Sequence, residues 1–148
     1  MKRKWWIIVI VVIVVAAAIG ICYFRFKQSS AQVTINDKKI KVEVAMTESQ
    51  RIKGLSGRDH LDADSGMLFV FPQSGINTFW MRDTKIPLDI IFINEGKVVE
   101  VTTLDPELPG VPTPSYTPQN PAKYVLEVNA GLIDGNKIKT GDKVEIKI

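Results

Sequence analysis

The sequence predicts a mainly β domain with minor α structure, an antiparallel β-sandwich or small barrel, preceded by one N-terminal transmembrane helix. Two observations predict the sheet. Seven or eight short segments rich in Val, Ile and aromatic residues are separated by turn signals, and the alternating helices that a parallel α/β fold needs are missing. One observation predicts the membrane span: from Trp5 to Phe24 the chain runs without a charge.

At 1.5 Å per residue that run reaches roughly 30 Å, the thickness of the hydrocarbon core of a bilayer. Trp5 and Trp6 open it and Tyr23 and Phe24 close it, where interfacial aromatics belong. Lys2, Arg3 and Lys4 precede it and Arg25 and Lys27 follow, a modest bias toward an inside N-terminus. The chain therefore divides into a cytoplasmic basic flank (1–4), an anchor (5–26), a linker (27–32) and one extracytoplasmic domain (33–148). The alternative is a secreted protein cleaved near Ala31, after Ser29-Ser30. The apolar core is longer than that of an ordinary signal peptide, which favours the single-pass anchor. Cys22 follows Ile21, where a lipoprotein signal needs a small residue.

Val33-Thr34-Ile35 and Ile40 to Val44 alternate apolar and polar around Asn36-Asp37, which predicts a hairpin. Thr47 to Ser56 reads as a helix, with Thr47 and Gln50 spaced as a capping box and Gly57 as its stop. Its core anchors are Ile52 and Leu55. Gly66 to Phe71 is a buried strand closed by Pro72; Asn77–Arg82, Leu88–Ile93 and Val98–Thr103 are three more, the last entered by the turn at 94–97. Residues 105–121 hold six of the eight prolines and form a stiff loop, with two loose polyproline-ligand patterns (Pro109/Pro112 and Pro118/Pro121). Lys123–Asn129, a helical turn from Ala130 ended by Gly135, and a strand from Lys143 to Ile148 complete the chain.

The formal charge of +3 misleads about the outer domain. Five of 19 basic residues flank the span, and the remaining 14 face all 16 acids, leaving residues 31–148 near −2. That balance sets nucleic acid aside as a partner. The one cysteine lies in the span and the one histidine, His60, reads as a solvated loop residue, so neither a zinc site nor a disulfide is expected. Asp62, Asp64 and Gly66 start like a calcium loop, but Met67 and Gln73 stand where the turn Gly and the bidentate Glu belong. No metal and no cofactor is expected.

Two acids interrupt otherwise apolar strands. Alternation puts Leu88, Ile90 and Phe92 on one face of their strand and Asp89 on the other with Ile91 and Ile93. Glu127 shares a face with Val125, opposite Tyr124, Leu126 and Val128. A carboxylate on an apolar face must find partners or neutralise. Either the two form an acid/base or ligand-anchoring pair in a cleft, or each is tied to a cation or to backbone N–H groups and organises the fold. Arg58 and Arg82 are available as charge partners. Trp80 and Met81 are either core or the apolar floor of a ligand site.

Four blocks, Gly66–Phe71, Phe79–Thr84, Ile86–Ile93 and Tyr124–Gly131, resemble in order and spacing the signature blocks of the family called domain of unknown function 192. The resemblance covers about residues 33–148. It implies a compact β-sandwich or jelly-roll-like fold, often exported or membrane-tethered, with no established activity. Trp80, Thr84, Pro87, Asp89, Glu127 and Gly131 fall on the family's characteristic positions. Thr113-Pro114-Ser115-Tyr116 stands where many relatives have Cys-Pro-x-Tyr, so no role of those cysteines carries over.

The sequence thus points to an extracytoplasmic domain that binds a small molecule or a cell-envelope protein, through Trp80, Arg82, Thr84, Asp89 and Glu127 with Arg58 as a charge partner, under the 105–121 loop. Two alternatives stand beside it: a hydrolase using Asp89 and Glu127 as acid and base, and a structural interaction module.

Overall fold

The computed structural model describes residues 31–148, so the predicted anchor, its basic flank and most of the linker lie outside the described residues. The expected hairpin is present: β1 (Ala31–Ile35) and β2 (Lys38–Ala45) pair antiparallel. Asn36 and Asp37 both take positive φ, 47° and 66°, as a two-residue hairpin turn matching the strand twist requires. β1 begins at Ala31, inside the stretch assigned to the linker.

Helix α1 (Glu48–Lys53) carries both halves of the predicted capping box: Thr47 accepts from the Gln50 N–H, and the Gln50 side chain accepts from the Thr47 N–H. It ends at Gly54 rather than running to Ser56. Leu55, which lies past the helix end, is buried as expected, whereas Ile52 is half exposed, and no residue of the six-residue helix is itself buried. The chain then returns to lay β3 (Ser65–Gly75) parallel to β2. β4 is only Phe79–Trp80, not the full strand expected over 77–82, and pairs with β7 (Ser115–Tyr116), a strand inside the Pro-rich loop. β5 (Leu88–Asn94) and β6 (Lys97–Leu104) form the second hairpin; β8 (Ala122–Asn129), helix α2 (Leu132–Gly135) and β9 (Val144–Lys147) follow.

Among the described residues the main sheet has seven strands in the order β6-β5-β8-β3-β2-β1-β9. This corrects the antiparallel sandwich: the large sheet is mixed, because the crossover through α1 makes β2 and β3 parallel, and the second sheet is only the β4–β7 pair. The barrel alternative came nearer. The sheet curls until its two edges meet: the Val98 N–H donates to the Asp142 carbonyl at 2.9 Å, and the Val144 N–H to Gly96 at 2.8 Å. Lys97 and Lys143 bridge there, so the sheet is a half-barrel joined at one end.

Curling creates two cores. The inner one gathers Val33, Ile35, Ile40, Leu68, Ile91, Ile93, Leu126 and Val144, plugged by Leu132 and Ile133 of α2. The outer one gathers Met67, Phe69, Leu88, Ile90, Phe92 and Val125 under Leu55, Leu61, Phe79 and Met81. β5 and β8 are therefore buried on both faces, which accounts for their nearly continuous apolar runs. Gly66 lies where β3 and β8 approach closely: a Cβ there would come within 2.5 Å of the Glu127 carbonyl oxygen.

The 105–121 loop is held down by two carboxylates. Glu107 accepts from the Thr113 hydroxyl and from the Asp83 N–H at 2.7 Å. Glu100 accepts from the Tyr116 hydroxyl at 2.6 Å and from the Gln119 and Asn120 N–H groups. These hydrogen bonds outweigh the burial of Glu100 and hold its carboxyl below the usual range.

Candidate functional site

Glu127 sits in the middle of β8, opposite Met67 of β3 and Ile90 of β5. Side chains directly opposite across a ladder share a face, so Glu127 emerges on the outer core side. It is 5% exposed. Burial pushes its carboxyl up to about 8, with no cation and no hydrogen-bond donor among the described residues offsetting it. Neither carboxyl oxygen is sealed in as an unsatisfied buried atom, because the group opens into a cavity.

That cavity, about 330 Å³, lies between α1 with the 53–56 turn on one side and β3, β4 and β8 on the other. Phe69, Phe71, Phe79 and Trp80 contribute its aromatic wall. Phe79 organises the rings: Phe69, Phe71 and Phe92 stand edge-to-face with it at centroid distances of 5.1, 6.3 and 5.8 Å. Trp80, 47% exposed, stands at the rim. Arg51 is anchored to the carbonyls of Met46 and Val70, with its guanidinium over the Phe71 ring at 5.2 Å. Ser56, Asn77, Thr78 and Thr84 add polar groups.

The structure brings together some of the residues the sequence singled out. Glu127, Trp80 and Thr84 line the cavity, and the Arg82 guanidinium lies over the Trp80 ring at 5.2 Å. Asp89 is elsewhere. It pairs across the ladder with Val128, so its side chain leaves the sheet on the inner face, opposite to Glu127. There its oxygens accept from the Thr103 hydroxyl at 2.7 Å and the Ile133 N–H at 2.8 Å. Gly131, the N-cap of α2, has no side chain to cap with; Asp89 does that work from the neighbouring strand. Arg58 partners neither acid: it makes a forked ion pair with Glu43, at 2.7 and 2.6 Å. The cavity lies beside α1 rather than under the 105–121 loop.

Phe69, Phe71, Phe79 and Arg51 were not among the sequence candidates. The signal for two of them was present: Met67, Phe69 and Phe71 alternate within one strand and share the face of Glu127. The helix supplying Arg51 comes from a distant part of the chain, and no spacing rule places it there.

The raised carboxyl predicts an unusual pH dependence. Folded Glu127 keeps its proton up to about pH 8, whereas the unfolded chain releases it near 4.5. The unfolded state therefore binds fewer protons between these values, and stability falls as pH rises through them, by up to about 1.4 kcal/mol per unit. Urea unfolding from pH 5 to 8 should show the wild type losing stability on the order of 3 kcal/mol. Glu127→Gln should flatten that slope; an unchanged slope would place the titrating group elsewhere.

Comparison with known proteins gives consistent matches. The model of the DUF192 family, described as an uncharacterized ACR, matches residues 31–146. A UPF0127 protein of Pyrococcus furiosus is 30% identical over 116 residues, covering 73% of this chain and 90% of that protein. One from Pyrococcus abyssi is 35% identical over 124 residues, covering 76% and 96%. A crystal structure from Sinorhizobium meliloti, described as a candidate transcription regulator, superposes with a TM-score of 0.70 at 30% identity, covering 78% of this chain and 91% of that one. A protein of unknown function from Novosphingobium aromaticivorans superposes with a TM-score of 0.67 at 36% identity, covering 77% and 83%.

Proposed function

The chain belongs to the DUF192 family over residues 31–146, and from that premise we propose that its β domain is a small-molecule-binding module, tethered by residues 5–26 outside the cytoplasm. One observation carries the binding reading: Glu127 is a buried carboxyl, without a partner among the described residues, in the wall of a preformed cavity with aromatic walls. A pocket with aromatic walls, convergent polar groups and a perturbed titratable residue is a usual form of a ligand site. The volume, about 330 Å³, suits a molecule of modest size. The tether rests on the uncharged run from Trp5 to Phe24.

Trp80 serves as the rim platform, with Arg82 fixing its ring, and Thr84 helps shape the wall beside Glu127. Asp89 is left out of the site. The hydrolase alternative loses its acid/base pair for the same reason, since the two carboxyls leave the sheet on opposite faces. The Sinorhizobium relative is described as a candidate transcription regulator; a domain near −2 does not favour direct contact with nucleic acid.

The test is thermal unfolding of the full-length chain against a panel of amines, sugars, amides and organic acids. A ligand at a hundred times its Kd should stabilise wild type by about 2.7 kcal/mol. Glu127→Gln and Trp80→Ala should remove most of that gain and Asp89→Asn none. A panel that stabilises all four proteins alike, or none of them, overturns the proposal.

A further inference from the structure

A carboxyl group that is nine-tenths buried normally has a cation, a metal or a set of N–H donors beside it. Glu127 has none among the described residues, and the space in front of it is empty volume rather than packed side chain. Four aromatic rings line that space. An aromatic ring carries negative potential on its face and attracts cations there. Two rings of this wall already do so: Phe71 holds the Arg51 guanidinium and Trp80 that of Arg82.

Resting on the small-molecule reading above, we propose that the occupant is an organic ammonium. Its N–H donors meet the Glu127 carboxyl and its carbon frame lies among Phe69, Phe71, Phe79 and Trp80. The unpaired buried acid and the aromatic wall then have one explanation. On binding at neutral pH the Glu127 carboxylic proton leaves to solvent, and the carboxylate formed pairs with the ammonium.

The charged groups around the cavity permit this. Glu48, Arg51 and Lys53 line it from α1, while β3 and β4 contribute no charge and β8 contributes Glu127 alone. Glu48 and Lys53 are both exposed to solvent. Arg51 is engaged by two backbone carbonyls and lies over the Phe71 ring. An anionic ligand, by contrast, would lie beside the Glu127 acid, with the Arg51 guanidinium already committed to two backbone carbonyls.

The proposal predicts a proton count that no neutral ligand gives. A carboxyl titrating near 8 is mostly protonated at pH 7, so forming the ion pair should release about 0.9 proton. The probe is phenethylammonium, titrated calorimetrically into the full-length chain at pH 7 in phosphate and in Tris, with 2-phenylethanol as its neutral counterpart. The difference in heat between the buffers reports the released proton. Affinity should rise about tenfold from pH 6 to 7 and level off past 8. Glu127→Gln, an uncharged near-isostere, should weaken phenethylammonium at least tenfold and 2-phenylethanol little; Trp80→Ala should weaken both.

Binding of 2-phenylethanol or a neutral amide through Glu127, without binding of phenethylammonium, would overturn the amine class and leave the pocket standing. Phenethylammonium binding without proton release, or equally tightly to Glu127→Gln, would also overturn it. If no probe of any class distinguishes wild type from the cavity variants, the small-molecule reading falls as well.

Discussion

Phe79→Ala should destabilise the domain by about 3–5 kcal/mol, the range for emptying a buried aromatic site. Phe79 is 8% exposed and touches three other aromatic rings edge-to-face, so truncation removes both its apolar burial and three favourable ring contacts. Its strand is two residues long and pairs only with Ser115–Tyr116. Such a short ladder has little strength of its own, so packing of this ring is what holds β4 against the sheet, while Glu100 holds β7 through the Tyr116 hydroxyl. Urea unfolding measures the loss, and Trp80→Ala in the adjacent position is the control. Trp80 is 47% exposed and should cost no more than about 1 kcal/mol. A loss below about 1 kcal/mol for Phe79→Ala would mean that β4 is held by its backbone contacts instead.

Asp89→Ala should cost about 3 kcal/mol, for a different reason. The substitution removes an acceptor from the Thr103 hydroxyl and from the Ile133 N–H, both on the inner side of the sheet. The backbone donor of Ile133 is then buried with no partner, and α2 loses the group that caps it. Asp89→Asn is the informative companion. Its carbonyl oxygen can still accept from Ile133 while its amide turns toward a rotated Thr103 hydroxyl, so about 1 kcal/mol is expected. Neither change should alter ligand response at the outer cavity. A folded Asp89→Asn protein that no longer responds to ligand would mean that the two faces are coupled.

Much of the local structure was legible. The Asn36-Asp37 turn, the Thr47/Gln50 cap and the strands around Gly66–Phe71, Leu88–Ile93 and Lys123–Asn129 follow from short-range rules of turn conformation, capping and alternation, and these rules act within a few residues. Failures came where the deciding contact was distant. Ile52 is apolar at a helical spacing, yet nothing in the helix says which stripe will meet the sheet. Asn77–Arg82 has strand-forming residues, yet only Phe79 and Trp80 find a partner, and that partner is in a loop whose prolines argued against pairing.

Asp89 and Glu127 divide the two kinds of information. By itself the sequence determined that this chain has a β-rich domain of the DUF192 family and that each acid lies on a strand face that should be apolar. Periodicity is a property of one strand and needs no neighbour. Only the tertiary structure decided that the two acids point to opposite faces, one capping a helix and the other opening into a cavity. The relative facing of two strands depends on their register, here Ile90 opposite Glu127 and Asp89 opposite Val128. A slip of one residue would have put both carboxyls on the same side. Register is set by the summed packing of the whole sheet, and so it could not be read from either segment.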